Sequence, residues 1–247
     1  MNLSSRQRAC LDAMGIEVWV RRELPPVSGN ETLGEVSAGP PAIQSQLTTA
    51  PEPVPGEVTE LDWDALEARV GNCTRCDLHA TRTRPVFGVG RRDARLMFVG
   101  EAPGAEEDRQ GEPFVGRAGK LLDAMLRAIG QERTSVYIAN ILKCRPPNNR
   151  DPKPEEAASC TPYLWRQIAL VQPDLVVALG RIAAQRLLDT SSSLARLRGT
   201  VHTLEATGTP LIVTYHPAYL LRSPGEKRKA WQDLKFARDF VARKAAS

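Results

Sequence analysis

The sequence predicts an α/β protein, a three-layer α/β/α sandwich around a short parallel four-stranded sheet, with a flexible N-terminal extension. Four apolar runs of about four to six residues are separated by segments with helical periodicity, and this alternation is typical of parallel sheets. The composition agrees, because 42% of the 247 residues are hydrophobic and 25% are charged. These values are ordinary for a globular domain and exclude a collagen, a coiled coil and a wholly disordered chain.

The chain ahead of this domain is predicted as two segments. Residues 1–24 combine a short helix with an apolar run and are a candidate contact for a protein partner. Residues 25–60 predict a disordered linker, because they are acidic and rich in proline and contain no basic residue. The folded domain is therefore expected over residues 61–247.

The elements of this domain follow in order. A short helix beginning at Asp62 leads toward the first cysteines. Strands are predicted over Leu96–Val99, Val136–Ile141, Leu175–Leu179 and Leu211–Tyr215. Helices are predicted over residues 121–129, 155–171, 181–188 and 226–244.

The net charge of +4 conceals an asymmetry along the chain. Residues 1–68 contain four basic and eleven acidic side chains, whereas residues 69–247 contain 29 basic and 18 acidic ones. A basic body attracts polyanions, because binding to phosphates releases their condensed counterions. Nucleic acid is therefore a candidate partner.

The chain is expected to be a cytoplasmic monomer that does not enter a membrane. No apolar run reaches the roughly 18 residues that a membrane helix needs, and the first residues lack the apolar core of a signal peptide. No segment is typical of a self-complementary interface.

Polar side chains follow the predicted strands at the edge where parallel sheets bind ligands. Glu101 follows the first strand, Asn140 ends the second, Arg181 follows the third and His216 follows the fourth. Each alone is compatible with a structural role, such as a turn cap or a solvated acid. Together, at one edge of the sheet, they predict a site.

The segment 110–116 adds an aromatic candidate. Phe114 lies in a loop with Pro113 and two glycines. An aromatic ring on such a loop is suited to stack on a nucleobase, but it is also suited to cover the edge of the core. The sequence leaves both interpretations open.

The cysteine spacing predicts a metal centre. Cys73 and Cys76 form a C-x2-C pair, and Cys144 and Cys160 have fifteen residues between them, whereas Cys10 is predicted to be a plain thiol. Four thiolates suit a structural zinc ion or a [4Fe-4S] cluster. The split second pair favours the cluster over a zinc ribbon.

Basic residues near these motifs are candidates for DNA contact. The segment 216–224 combines apolar residues with a cation, which suits a wedge into DNA flanked by phosphate contacts. The candidates are Arg145, Arg150, Arg222, Lys227 and Arg228.

Taken together, these motifs resemble the family 4 uracil-DNA glycosylases, the iron-sulfur branch of the uracil-DNA glycosylase superfamily, over about residues 66–242. The resemblance rests on Gly-Glu-Ala-Pro-Gly at 100–104, Glu-Asp at 107–108, Gly-Glu-Pro-Phe-Val-Gly-Arg-Ala-Gly at 111–119, Asn-Ile-Leu-Lys-Cys-Arg-Pro-Pro at 140–147, His-Pro at 216–217 and the four cysteines. It implies a [4Fe-4S] cluster on those cysteines and a uracil pocket built from Glu101, Ala102, Pro103, Phe114, Asn140 and His216.

The resemblance implies a DNA repair reaction in which uracil is flipped out of DNA and its glycosidic bond is hydrolysed. Phe114 would stack on the base, Asn140 would read its O4 and N3 edge, and His216 would stabilise the negative charge on the departing base. Glu101 is the first candidate to orient the water, with Asp108 behind it. The alternative is a uracil-DNA binding protein without turnover, or one that forms a covalent adduct through His216.

Overall fold

The computed structural model describes residues 56–245. The segment 1–24 and most of the predicted linker lie outside the described residues, as does Cys10. Within the described residues, no helix is both long enough and apolar enough to cross a membrane.

The core of the fold is a six-stranded sheet with the order β1-β3-β2-β4-β6-β5. The strands are β1 (Val89–Gly90), β2 (Leu96–Gly100), β3 (Tyr137–Asn140), β4 (Leu175–Leu179), β5 (His202–Thr203) and β6 (Pro210–Thr214). The four predicted strands are present and parallel, but the predicted strand number is wrong. The two additional strands are antiparallel edges of two residues each, too short to show a periodic apolar pattern.

The helices cover both faces of the sheet. They are α1 (Gly56–Thr59), α2 (Trp63–Gly71), α3 (Ala105–Gln110), α4 (Arg117–Ala128), α5 (Pro154–Val171), α6 (Arg181–Leu187), α7 (Leu194–Leu197), α8 (Pro217–Arg222) and α9 (Lys227–Ala245).

Alternate residues of the central strands face two separate core layers. In β2, Met97 and Val99 pack with the layer under α5 and α6, whereas Leu96 and Phe98 pack with the layer under α4 and α9. Side chains alternate in this way because successive residues of a strand point to opposite faces of the sheet. The predicted three-layer sandwich is therefore confirmed.

The observed helix boundaries agree with the prediction at Asp62 and differ from it at α4 and α1. Asp62 caps α2 as predicted, since its Oδ1 accepts a hydrogen bond from the Ala65 amide at 2.9 Å. Helix α4 begins at Arg117, four residues earlier than its apolar pattern indicates. Helix α1 lies inside the predicted linker, and its Val58 is buried in the core, so these residues belong to the folded body.

The register of the parallel strands aligns their carboxyl ends. Gly100 of β2 lies opposite Asn140 of β3, and Leu179 of β4 lies opposite Thr214 of β6. The segments that leave these strands therefore emerge at one edge of the sheet.

Candidate functional site

A cleft of about 430 Å³ opens at the carboxyl edge of the parallel strands. Its size is typical of a small-ligand pocket. All six predicted pocket residues line it, and they come from four different chain segments: Glu101, Ala102, Pro103, Phe114, Asn140 and His216.

Gly100 brings two of these side chains together. A Cβ atom at this position would lie 2.4 Å from Asn140 Oδ1 and 2.6 Å from Phe114 Cζ. Only glycine leaves this space, so the amide and the ring both pack directly against the end of β2. The sequence pattern gave no signal for this contact.

Asn140 presents an unpaired amide oxygen to the cleft. The side chain is 1% exposed, and within residues 56–245 no hydrogen-bond donor reaches Oδ1. An unsatisfied buried acceptor costs about 1–3 kcal/mol, which a bound N–H group would offset. The residue is thus built to receive a ligand donor.

Phe114 covers the edge of the core and also lines the cleft. Its ring is 6% exposed and packs in the core layer under α4. The centroid of the ring lies 5.6 Å from that of His216, with the two planes tilted by 33°. A planar ligand in the cleft would therefore meet an aromatic face held rigidly by the core.

Glu107 fixes the loop beside this ring and lines the cleft, although the sequence motif that includes it did not place it among the predicted pocket residues. Its Oε1 accepts hydrogen bonds from the amides of Val115 at 3.0 Å and Gly116 at 2.9 Å. Glutamates are common on solvated helix faces, so its residue type alone carried no signal.

His216 is held as a neutral hydrogen-bond donor. Its Nδ1 accepts from the amide of Ala218 at 3.1 Å, which assigns the proton to Nε2. Burial lowers the pKa of the imidazole to about 4, and the positive charge of Arg222 acts in the same direction. At neutral pH the ring therefore offers an N–H group without a full charge.

The pKa of Glu101 lies above its ordinary value. The pKa of its carboxyl group is raised to about 7, mainly by burial and in part by the negative charge of Asp151, whereas Arg181 opposes the shift. A carboxyl group poised near neutrality in a cleft is suited to proton transfer. Asp108, in contrast, is buried outside the cleft lining, and its Oδ1 accepts from the Thr83 amide.

The candidate DNA contacts fall into two groups. Arg150 and Arg222 line the cleft, although Arg150 also forms a bidentate ion pair with Glu156. Arg145, Lys227 and Arg228 lie outside its lining. Arg145 Nε donates to Asn149 at 2.8 Å, and the other two side chains are exposed at the start of α9.

The four predicted ligand cysteines line one small cavity. Three of their sulfurs accept hydrogen bonds: Cys73 from Tyr163 Oη at 3.3 Å, Cys144 from Arg82 Nη1 at 3.1 Å and Cys160 from the Lys143 amide at 3.2 Å. Such donors favour sulfur in its anionic, metal-binding form. No group of three His, Cys, Asp or Glu side chains in residues 56–245 is placed to hold a single metal ion.

Comparison with known proteins identifies the superfamily to which the chain belongs. The profile of the Uracil DNA glycosylase superfamily matches residues 87–235, which include every residue of the cleft. A type-4 uracil-DNA glycosylase of Archaeoglobus fulgidus is 46% identical over 187 residues, 73% of this chain and 94% of the relative. The type-4 protein of Thermotoga maritima is 45% identical over 72% of this chain and 94% of its own.

A type-5 relative is less similar to this chain than the two type-4 relatives are. A type-5 uracil-DNA glycosylase of Pyrobaculum aerophilum is 31% identical over 64% of this chain and 83% of its own. The chain belongs to the type-4 family of the uracil-DNA glycosylase superfamily, as the sequence motifs predicted.

Proposed function

We propose that this protein is a DNA repair glycosylase that flips uracil out of DNA and hydrolyses its N-glycosidic bond, leaving an abasic site. The observation that carries the proposal is the unpaired, buried oxygen of Asn140, placed in one cleft with the Phe114 ring and the Nε2–H group of His216. The relatives named as type-4 uracil-DNA glycosylases support the same activity.

Asn140 distinguishes uracil from cytosine by hydrogen-bond polarity. Its Oδ1 accepts from N3–H of uracil while its Nδ2 donates to O4. Cytosine presents an acceptor at N3 and a donor at the exocyclic amine, so both contacts become repulsive. A buried amide left unpaired in this way gives strong discrimination.

Phe114 and His216 act on the flipped base. Stacking on an aromatic ring contributes about 1–3 kcal/mol per base, which helps to offset the few kcal/mol that base flipping costs. Cleavage of the bond between the sugar and N1 leaves negative charge on uracil, and His216 Nε2–H donates to O2 as this charge develops. Loss of one such donor typically costs about 2.7–4 kcal/mol.

Glu101 is proposed to act on the other side of the bond. In its ionised form it orients the attacking water and stabilises the positive charge that develops on the sugar. Ala102 has no polar group for this task, so Glu101 is the nearest carboxyl candidate in its segment.

The tautomer of His216 favours turnover over a covalent adduct. Nucleophilic attack on the sugar would need a lone pair on Nε2, but the hydrogen bond from Ala218 to Nδ1 leaves the proton on Nε2. A donor can stabilise a departing anion, whereas it cannot form the new bond without first losing its proton.

A [4Fe-4S] cluster on Cys73, Cys76, Cys144 and Cys160 is proposed as the cofactor, in preference to the structural zinc ion that the sequence left as the alternative, because no group of three His, Cys, Asp or Glu side chains in residues 56–245 is placed to hold a single ion. The four thiols of the cavity fit it, since they include every sulfur ligand that a cluster needs. When bound, it would fasten the chain after Asn140 to α5, a structural role. Free thiols suit a reducing compartment, so we place the protein in the cytoplasm.

The test is incubation of the protein with a double-stranded oligonucleotide that contains one uracil opposite guanine. Free uracil and an alkali-labile abasic site are expected, and both should be lost with a thymine-containing duplex. Intact DNA bound without release would support the binding protein instead, and an adduct that survives denaturation would support the covalent trap. Iron and sulfide analysis of anaerobically purified protein separates the cluster from zinc.

A further inference from the structure

The segment that carries Phe114 has an unusual backbone. Phe114 has a φ of 55°, in the left-handed region that residues with a side chain rarely adopt. A conformation of this kind persists only where surrounding contacts impose it. The ring can face the cleft only while the loop keeps this shape.

Arg133 supplies these contacts from outside the cleft. Its Nη1 donates to the Phe114 carbonyl oxygen at 3.1 Å and to Asp123 at 3.1 Å. Its Nη2 donates to the Pro113 carbonyl oxygen at 2.7 Å and to Glu112 at 2.9 Å. One guanidinium therefore turns two successive carbonyl groups to the same side, while two carboxylates hold the guanidinium itself.

Neighbouring residues restrict the backbone conformation of this loop. Gly119 of α4 lies so close that a Cβ atom there would be 1.7 Å from the Phe114 carbonyl oxygen. On the other side, Glu107 accepts hydrogen bonds from the amides of Val115 and Gly116. Arg133 thus holds carbonyl groups of this loop, and Glu107 holds amide groups of the same loop.

We propose that Arg133 is a positioning residue for uracil excision, acting through Phe114 by imposing the backbone conformation that presents the ring to the flipped base. Arg133 is not part of the cleft lining, so it does not touch the base itself. The inference rests on the proposed function and adds a residue to it. Lysine cannot replace the arginine, because a single ammonium group lacks the planar fork that reaches both carbonyl groups and both carboxylates.

A double-mutant cycle tests this role. Single-turnover rates of uracil release from the U·G duplex are measured for the wild type, Arg133→Lys, Phe114→Ala and the double variant. We expect Arg133→Lys to lower the rate about tenfold, which corresponds to about 1.4 kcal/mol. In the Phe114→Ala background, the same change should lower the rate less than about twofold, because residues that act through one group are not additive.

Two further variants separate positioning from general loss of stability. Arg95→Lys is the matched control, since Arg95 also donates to a carboxylate, Asp174, and to a backbone carbonyl, that of Val241, at the opposite end of β2. It should leave the rate unchanged. Gly119→Ala displaces the Phe114 carbonyl from its hydrogen bond with Arg133 without replacing the arginine, and it should reproduce the loss of rate and its non-additivity with Phe114→Ala.

The outcomes distinguish this inference from the proposed function. If the wild type releases uracil and Arg133→Lys lowers the rate equally with Phe114 and with Phe114→Ala, or does not lower it at all, the positioning role is wrong. The proposed glycosylase activity is unaffected by that result. Thermal unfolding of each variant shows that the folded protein is being compared. If Arg133→Lys does not fold, Glu112→Gln, which weakens one of the two carboxylate contacts that hold the guanidinium, takes its place in the cycle. A wild type that releases no uracil overturns the proposed function, and this inference with it.

Discussion

The pH dependence of uracil release should follow the ionisation of Glu101. Burial raises the pKa of this carboxyl group from 4.5 to about 7, so only about 10% is ionised at pH 6 and about 1% at pH 5. If the ionised form acts on the water and the sugar, kcat/KM should rise about 100-fold from pH 5 to a plateau above pH 8. His216, with a pKa of about 4, stays neutral across this range and adds no second limb above pH 5.

The assay is kcat/KM for uracil release from the U·G duplex between pH 5 and 8.5 at constant ionic strength, because this parameter reports groups of the free enzyme. Glu101→Gln should be slow and should lose the pH dependence. Asp151→Asn should move the midpoint to lower pH, since it removes a like charge, and Arg181→Gln should move it to higher pH.

A flat profile from pH 5 to 8.5 would refute the raised pKa of Glu101 as the cause of the pH dependence, since an acid with an ordinary pKa of 4.5 is already about 75% ionised at pH 5. A rate that falls as the pH rises would mean that the protonated acid is the active form. Normal turnover by Glu101→Gln would remove the residue from the mechanism.

Three other predictions concern residues that support the site. Asn140→Ala should abolish most uracil release while changing the melting temperature by less than about 3 °C, because the substitution removes an acceptor that is already unpaired; a large loss of stability would contradict this. Lys143→Met should lower the free energy of unfolding measured in urea by about 2–4 kcal/mol, since the buried acceptors Asn140 O and Gln167 Oε1 lose the Lys143 ammonium as their donor. A loss below about 1 kcal/mol would contradict this explanation. Cys160→Ala should remove the bound iron and the visible absorbance and lower the melting temperature, whereas Cys10→Ala should change neither. Retention of iron by the first variant would exclude Cys160 as a ligand.

Several features of the site could be predicted from sequence because they depend on local patterns. Each central strand is a continuous apolar run, so its end, and the residue that follows it, can be found along the chain. Parallel strands with aligned carboxyl ends then place Glu101, Asn140 and His216 at one edge, whatever the details of the loops. The motifs around these residues also predicted the family that the comparisons confirm.

Other features were out of reach because they depend on contacts between distant segments. The two-residue edge strands β1 and β5 exist only as partners of β3 and β6, so the sheet was predicted two strands too small. Arg133 lies nineteen residues from Phe114 in the sequence, and nothing in its neighbourhood marks it as the group that holds this loop.

Hydrophobic periodicity sets the strands and chain topology sets their direction, so the amino-acid sequence alone predicts which chemical groups this protein brings to its site and at which edge of the sheet they meet. The state of those groups is visible only in the folded protein: the Nε2 proton on His216, the raised pKa of Glu101 and the unpaired oxygen of Asn140. The proton position on His216 follows from a local hydrogen bond with Ala218 at the start of α8, whereas the pKa of Glu101 and the unpaired oxygen of Asn140 follow from burial among segments that are distant in the sequence. These properties are fixed only when the folded protein has excluded water from the cleft.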